Sequence, residues 1–315
     1  MSELSVALSP YPLFDLHSHT TASDGELTPG CLVQRAVEMR VGVLAITDHD
    51  TIAGLSAAQE TIDALNLPLR LVAGVEISTL WENHEIHIVG LGIDPAHAAL
   101  TQLLEQQKHR RWQRAQAIGE RLEKARIPGA LEAAQRLAAG GEITRGHFAR
   151  FLVEQGKASN VGQVFKSYLA KGKTGYVPPQ WCTIAEAVDV IHHAGGVAVL
   201  AHPGRYDLSP KWLKRLLACF VAAKGEAMEV AQCQQAPDER TQLARYAQDF
   251  QLYASQGSDF HRPCAWIELG RKLWLPGGVT PVWQHPVLAT VDGECPLSQR
   301  RCSAMDATNG AKFDV

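Results

Sequence analysis

No apolar run in the 315 residues approaches the roughly 20 that a membrane span requires, and no Cys-x-x-Cys pair occurs. The first absence argues against a bilayer protein. The second, with seven widely spaced cysteines, argues against a disulfide frame or a thiolate zinc site and for reduced thiols. The start Met1-Ser2-Glu3-Leu4 lacks the basic opening and long apolar centre of a signal peptide, so a cytoplasmic location is expected. Net charge is also scarce, at −3, until the chain is divided. Residues 101–180 contain no Asp, and fourteen Lys or Arg against six Glu give a net of +8 that leaves −11 elsewhere. An acidic body suits cation binding. A basic segment suits phosphate or nucleic acid, or else is a solvated helix surface. The hydrophobic content of 46% supplies a core for one large α/β domain or two ordinary ones.

The chain is organised around Phe14-Asp15-Leu16-His17-Ser18-His19, with Asp24 close behind. Side chains repeat every second residue in an extended chain, so His17 and His19 share a face where both rings can reach one metal ion. Alone, the pair also fits two polar residues at a strand end. Further ligand-type residues recur in or just after apolar runs: His49, flanked by Asp48 and Asp50, then Glu76, His87, His202, Asp259 and His261. That recurrent phase favours a multinuclear metal site over scattered surface residues.

Short aliphatic runs at 13–16, 43–47, 69–76, 86–93, 197–201, 227–230 and 252–255 alternate with helix-like segments, the first opening at Thr28-Pro29. This predicts about seven strands in parallel alternation, which suits a barrel with functional residues at the carboxyl ends of its strands. The rhythm is broken by helix-like stretches at 103–125, 131–139, 144–155 and 161–169, before a Gly- and Pro-rich loop at 171–179. In the first of these, Leu104, Trp112, Ala115, Ile118 and Leu122 define an apolar face, leaving Arg111, Arg114 and the other basic residues for the rest.

Five segments are now recognisable: Asp15-Leu16-His17-Ser18-His19, Thr47-Asp48-His49-Asp50, Gly74-Val75-Glu76, Ala201-His202-Pro203-Gly204-Arg205 and Gly257-Ser258-Asp259-Phe260-His261. They resemble the motifs of the polymerase and histidinol phosphatase (PHP) superfamily. Within it the sequence is similar to the ribonuclease AM-type exoribonucleases and the 3′,5′-nucleotide bisphosphate phosphatases. That narrower likeness rests on Asp24, where many members carry a third His, on Thr144-Arg145-Gly146-His147-Phe148-Ala149-Arg150, and on the location of the basic segment after Ile93.

The resemblance implies a distorted (β/α)7 PHP barrel at 13–99 and 180–283 around the basic helical insertion or lid at 100–179; beyond about 283 the sequence departs from the family, and its lack of strand or helix period predicts a disordered tail at 284–315. The resemblance also implies three divalent ions: one on His17, His19, Glu76 and Asp259, a second on Glu76, His87 and His202, a third on Asp24, His49 and His261. Imidazole and carboxylate without thiolate suit manganese, iron or zinc, and manganese is the expected ion. The implied activity is phosphate-ester hydrolysis, as a 5′-3′ exoribonuclease at RNA 5′ ends and as a 3′,5′-nucleotide bisphosphate phosphatase. RNA and small nucleotides are then the partners, with no membrane. Arg205 is expected beside His49 and Asp259 in the catalytic centre, gripping a phosphoryl oxygen. Arg145 and His147 are expected to reach a second phosphate, or else to build a helix start; Asp48 and Asp50 are expected to orient His49; His192, His193 and His285 are expected at the surface.

Three alternatives stand beside this reading. A histidinol-phosphate-type monoesterase has no need of a basic insertion. An amidohydrolase adds a bridging modified Lys that no strand end here offers. A non-catalytic nucleic-acid-binding PHP module is usually marked by lost ligands, and all nine are present.

Overall fold

Among the described residues, seven strands pair edge to edge in chain order: β1 (Leu13–Asp15), β2 (Val41–Ile46), β3 (Arg70–Trp81), β4 (His84–Leu91), β5 (Val197–Leu200), β6 (Ala227–Ala231) and β7 (Tyr253–Gln256). The computed structural model describes residues 12–289. Most of the expected lead-in at 1–12, the tail from 290 onward, Cys295 and Cys302 lie outside the described residues.

Every strand pairing is parallel except the two made by β4, which corrects the expectation of a wholly parallel sheet. The cause is local. Only Glu82 and Asn83 separate β3 from β4, at φ 45° and 67°, the positive pair that a tight two-residue hairpin turn demands. No crossover helix fits in two residues, so β4 folds back on β3 and then lies antiparallel to β5.

Just beyond β1 and β7 the two edges of the sheet meet. Leu16 N donates to Gln256 O at 3.1 Å, Asp259 N to His17 O at 2.9 Å and His19 N to Phe260 O at 2.9 Å. Gly257 allows this approach, since a Cβ there would fall 2.3 Å from that of His17. Alternation along the strands then divides two apolar layers. Phe14, Val43, Ala45, Val89, Val197 and Val199 face one another in one cluster. Leu44 and Ile46 instead pack on α1 (Pro29–Glu38) and α2 (Gly54–Leu65), while Ala198, Leu200 and Met228 pack with α7 (Ile184–His193), α8 (Pro210–Ala222) and α9 (Pro237–Asp249). Thr28 caps α1 by accepting from Cys31 N at 3.2 Å, with Pro29 in the first turn as its sequence predicts.

Between β4 and α7 lie α3 (Ala98–Lys124), α4 (Ala130–Ala138), α5 (Arg145–Glu154), α6 (Val161–Val164) and a π-helical turn, Phe165–Leu169. These elements share an apolar cluster of their own, with Ile118, Leu122, Phe148, Leu152, Val164 and Leu169 at its heart. On α3 the expected faces are partly exchanged. Arg111 and Arg114 are buried, and Trp112 is 37% exposed.

The described end of the chain is folded, against the expectation for 284–315. A 3-10 turn (Val282–Gln284) leads into α10 (Pro286–Ala289), Leu288 is buried, and Trp283 stacks on Phe14 with ring centres 4.3 Å apart. His285 is not a solvent residue; it lies edge-on to Tyr253 at 5.1 Å. His193 is exposed, whereas His192 lies 2.9 Å from Glu226. Among the described residues no helix is long and apolar enough to cross a membrane.

Candidate metal centre

All nine sequence-predicted donors come to one end of the sheet. His17 and His19 follow β1, Asp24 lies in the loop before α1, His49 follows β2, His202 follows β5, and Asp259 and His261 follow β7. Glu76 and His87 sit inside β3 and β4 rather than at strand ends, because the hairpin extends both strands past the others. His202 and Asp259 adopt left-handed backbone at φ 30° and 52°. Such a conformation costs on the order of 1–3 kcal/mol for a residue with a Cβ, and it persists where surrounding structure fixes it.

Glu76 is the hub. Its Oε1 lies 2.9 Å from His87 Nδ1 and 2.9 Å from His202 Nε2. Its Oε2 lies 3.3 Å from both His17 Nε2 and His19 Nε2, and 2.9 Å from His49 Nδ1. Asp259 Oδ1 approaches the same two Nε2 atoms, at 3.3 Å from His17 and 3.1 Å from His19. On the other side, Asp24 Oδ1 is 3.3 Å from His261 Nε2 and 3.9 Å from His49 Nε2. Three groups have donor atoms all within 4.8 Å of one another: His17, His19 and Glu76; His49, Glu76 and His87; and His19, Asp24, His49 and His261. These overlap the implied ligand sets but leave Asp259 and His202 outside all three groups, and they redistribute two rings. His19 also joins Asp24, and His49 also faces Glu76.

The electrostatics suit cations. Burial works against the Glu76 carboxylate, yet the neighbouring His49, His17 and His87 rings hold its pKa well below the usual range. Burial opposes Asp24 and Asp259 too, and His261 with His49 for the one, Arg205 with His17 for the other, keep them ionised. Burial and the adjacent His261 push His19 down to about 3, so it offers a free lone pair at neutral pH. Glu76 Oε2, Asp24 Oδ1 and His49 Nδ1 are buried and, although Oε2 and Nδ1 lie 2.9 Å apart and Oδ1 lies 3.3 Å from His261 Nε2, none of the three makes a hydrogen bond of good geometry. Buried polar atoms in that condition are costly, and a divalent ion among nitrogen and carboxylate donors relieves the cost. The clusters therefore can hold metal ions.

Two positioning groups escaped the sequence reading. Glu229, inside β6, accepts from His17 Nδ1 at 2.6 Å and from the His202 backbone N at 2.7 Å. Its signal was an acid in the middle of the apolar run Ala227-Met228-Glu229-Val230-Ala231. Tyr206 accepts from His87 N at 2.9 Å and meets the His202 ring edge-on at 5.3 Å. The expected orienters of His49 do other work. Asp48 accepts from Thr20 N (2.7 Å), Thr20 Oγ1 (2.6 Å) and Ser23 Oγ (2.6 Å), bracing the loop that carries Asp24. Asp50 pairs with Arg111 at 2.6 Å and accepts from Ser78 N at 2.8 Å.

Arg205 follows His202 through the 3-10 turn Pro203–Arg205 and pairs with Asp259 Oδ2, with its side chain 39% exposed. Beside the donors opens a cavity of about 370 Å³, lined by Asp24, His49, His87 and His261 at one side and by the helical segment at the other. Arg145 lines it, 2.6 Å from Glu85 Oε2 and over the Phe165 ring at 5.5 Å. Glu85 also accepts from Trp181 Nε1 at 2.7 Å and pairs with Arg114. Burial opposes its charge, but Arg145, Arg114 and the indole hold its pKa far below normal. His147 is buried, and its Nδ1 accepts from Thr144 N at 3.1 Å in the capping box of α5. That is the helix-start role, not a reach toward phosphate.

An α/β protein that gathers histidine and carboxylate donors at one end of a seven-stranded, mostly parallel sheet is thus defined. The PHP domain family matches residues 15–176, and the chain belongs to that family. It is 71% identical over 272 residues, 86% of this chain and 93% of the relative, to the 5′-3′ exoribonuclease Rnm of Escherichia coli (strain K12). It is 42% identical over 273 residues, 86% of this chain and 95% of the relative, to a 3′,5′-nucleoside bisphosphate phosphatase of Chromobacterium violaceum. A solved structure from Chromobacterium violaceum, described as an amidohydrolase with bound sulfate and no metal, superposes with a TM-score of 0.81 at 42% identity, covering 86% of this chain and 94% of that one.

Proposed function

We propose that this protein hydrolyses phosphate esters of nucleotides, releasing nucleotides from RNA 5′ ends as a 5′-3′ exoribonuclease and removing a phosphate from 3′,5′-nucleotide bisphosphates. The observation that carries the reading is the cavity in which His49, His87, Asp24 and His261 face Arg145 and Arg150 across one space. Its two kinds of wall match the two parts of a nucleotide. The resemblance to relatives named for both activities supports the same conclusion. In this reading the meeting of the sheet edges closes a distorted (β/α)7 barrel, and 100–179 is a lid inserted into it.

His17, His19, Glu76 and Asp259 would hold one divalent ion, Glu76, His87 and His202 a second, and Asp24, His49 and His261 a third, with manganese the expected metal. When bound, such ions bring the pKa of a coordinated water near neutrality and offset charge on phosphoryl oxygens. The chain's own groups bind and orient. Arg205, anchored by Asp259, presents its remaining guanidinium hydrogens toward the phosphoryl group. Arg145, held by Glu85, receives a second phosphate, while Ile118, Ile143 and Phe165 form an apolar wall for the base. Phosphate contacts carry little sequence information, so base preference is weak and activity on RNA falls with salt.

The test is a panel of adenosine 3′,5′-bisphosphate, 5′-phosphorylated RNA, histidinol phosphate and an amide, assayed with manganese and again after chelation. Turnover of the first two, abolished by chelation and by Asp259→Ala, is expected. Cleavage of the amide alone, or an unchanged rate in the variant, would sink the reading.

A further inference from the structure

Thr144, which starts α5, touches a candidate ligand directly. Its Oγ1 donates to Asp24 Oδ2 at 2.7 Å and accepts from Gly146 N at 3.0 Å. A hydroxyl has one hydrogen and two lone pairs, so one side chain both caps the helix and holds the carboxylate. The other oxygen, Asp24 Oδ1, is buried without a hydrogen bond of good geometry and points among the rings of His261 and His49. The loop carrying Asp24 is joined to the helical segment at two more places. Glu142 N donates to Ala22 O at 2.8 Å, and Gly141 lies so near that a Cβ would fall 2.3 Å from Thr21 O. The loop and the start of α5 therefore dock backbone to backbone.

We propose that Thr144 is a positioning residue for the cation held by Asp24, His49 and His261, so that this subsite is complete only when residues 141–150 are docked on the Asp24 loop. The inference rests on the metal centre proposed above. A ligand oriented by a hydrogen bond from outside the centre loses about 10–100-fold in metal affinity when that bond is removed. Linkage makes the effect reciprocal: cation binding at this subsite tightens the docking of α5 by the same factor that docking tightens the cation. Occupancy of this subsite and docking of residues 141–150 on the Asp24 loop are then one equilibrium.

The experiment uses the full chain, with Mn2+ as the probe, equilibrium dialysis with elemental analysis for stoichiometry, and amide hydrogen exchange for docking. Thr144→Val keeps the side-chain shape and removes the hydroxyl. It is expected to bind one ion about 10–100-fold more weakly than the unaltered protein, while Thr144→Ser restores binding. In the unaltered protein, which needs no variant to fold, Mn2+ is expected to slow exchange of amides 144–150. Full binding of every ion by Thr144→Val overturns the role of Thr144, and unchanged exchange at 144–150 overturns the coupling. Asp24→Ala separates the two levels: an undiminished ion count in that variant removes the proposed ion at Asp24, His49 and His261, whereas loss of an ion there beside full binding in Thr144→Val removes only the inference.

Discussion

Glu229 fixes the tautomer of His17. A carboxylate at 2.6 Å can only accept, so Nδ1 carries a hydrogen and Nε2 is the atom turned toward Glu76 and Asp259, the one that would give its lone pair to a cation once its own proton leaves. The same carboxylate holds the His202 backbone N, so one acid at the centre of β6 sets two donors from different strands.

Replacing Glu229 by Ala is expected to weaken metal binding by about 10–100-fold without unfolding the protein. Metal titration followed by circular dichroism checks both parts. Unaltered metal affinity would show that His17 is aimed by packing alone.

Arg145 is expected to act on binding rather than on the chemical step. A hydrogen bond from a charged donor contributes about 1.5–3 kcal/mol, so Arg145→Ala should raise KM for adenosine 3′,5′-bisphosphate by about 10–100-fold. A substrate lacking the second phosphate should lose far less. Arg145→Lys should recover only part, because a point charge cannot grip Glu85 and phosphate with a fixed planar fork. Equal losses on both substrates would place Arg145 elsewhere in the reaction.

Acid stability should depend on Glu268, which is not among the candidate donors. Burial raises its pKa, but the two-pronged contact with Arg35, at 2.9 Å and 2.5 Å, and the Leu269 amide lower it further, for a net depression. A depressed carboxylate stabilises the fold at pH above its unfolded value of about 4.3, and that stability disappears as pH falls through the lower folded value. Glu268→Gln should therefore cost about 1 kcal/mol at pH 7, after allowance for the partly exposed Arg35. Urea denaturation should show the gap closing below about pH 4. A gap that persists into acid would assign the loss to packing.

The sequence made the helices and strands legible where local pattern decides them: Thr28-Pro29 opens α1, and alternation sorts Val43 and Ala45 from Leu44 and Ile46. That eight of the nine candidate donors gather at one end was legible because each stands in or after an apolar run, whereas Asp24, in a loop, was expected from its nearness to His17 and His19 and from the family resemblance. The direction of β4 was not, since strand-by-strand alternation conceals a turn as short as Glu82-Asn83. Arg111 and Arg114 were misread because helical periodicity treats every Arg as solvent-facing. Their burial depends on Asp50, in the turn after β2, and Glu85, in β4, both distant along the chain. The same holds for Asp48, whose partners lie in the Asp24 loop rather than at His49.

The two-residue turn between β3 and β4 acts as a gauge. In its register Glu76 lies opposite Val89 and Ser78 opposite His87, which keeps the hub carboxylate and its neighbouring ring on one surface. A slip of one residue in a ladder reverses which side every subsequent side chain faces. One inserted residue after Glu82 would carry His87 to the far side of the sheet, and a donor would be lost with every donor residue still in the chain.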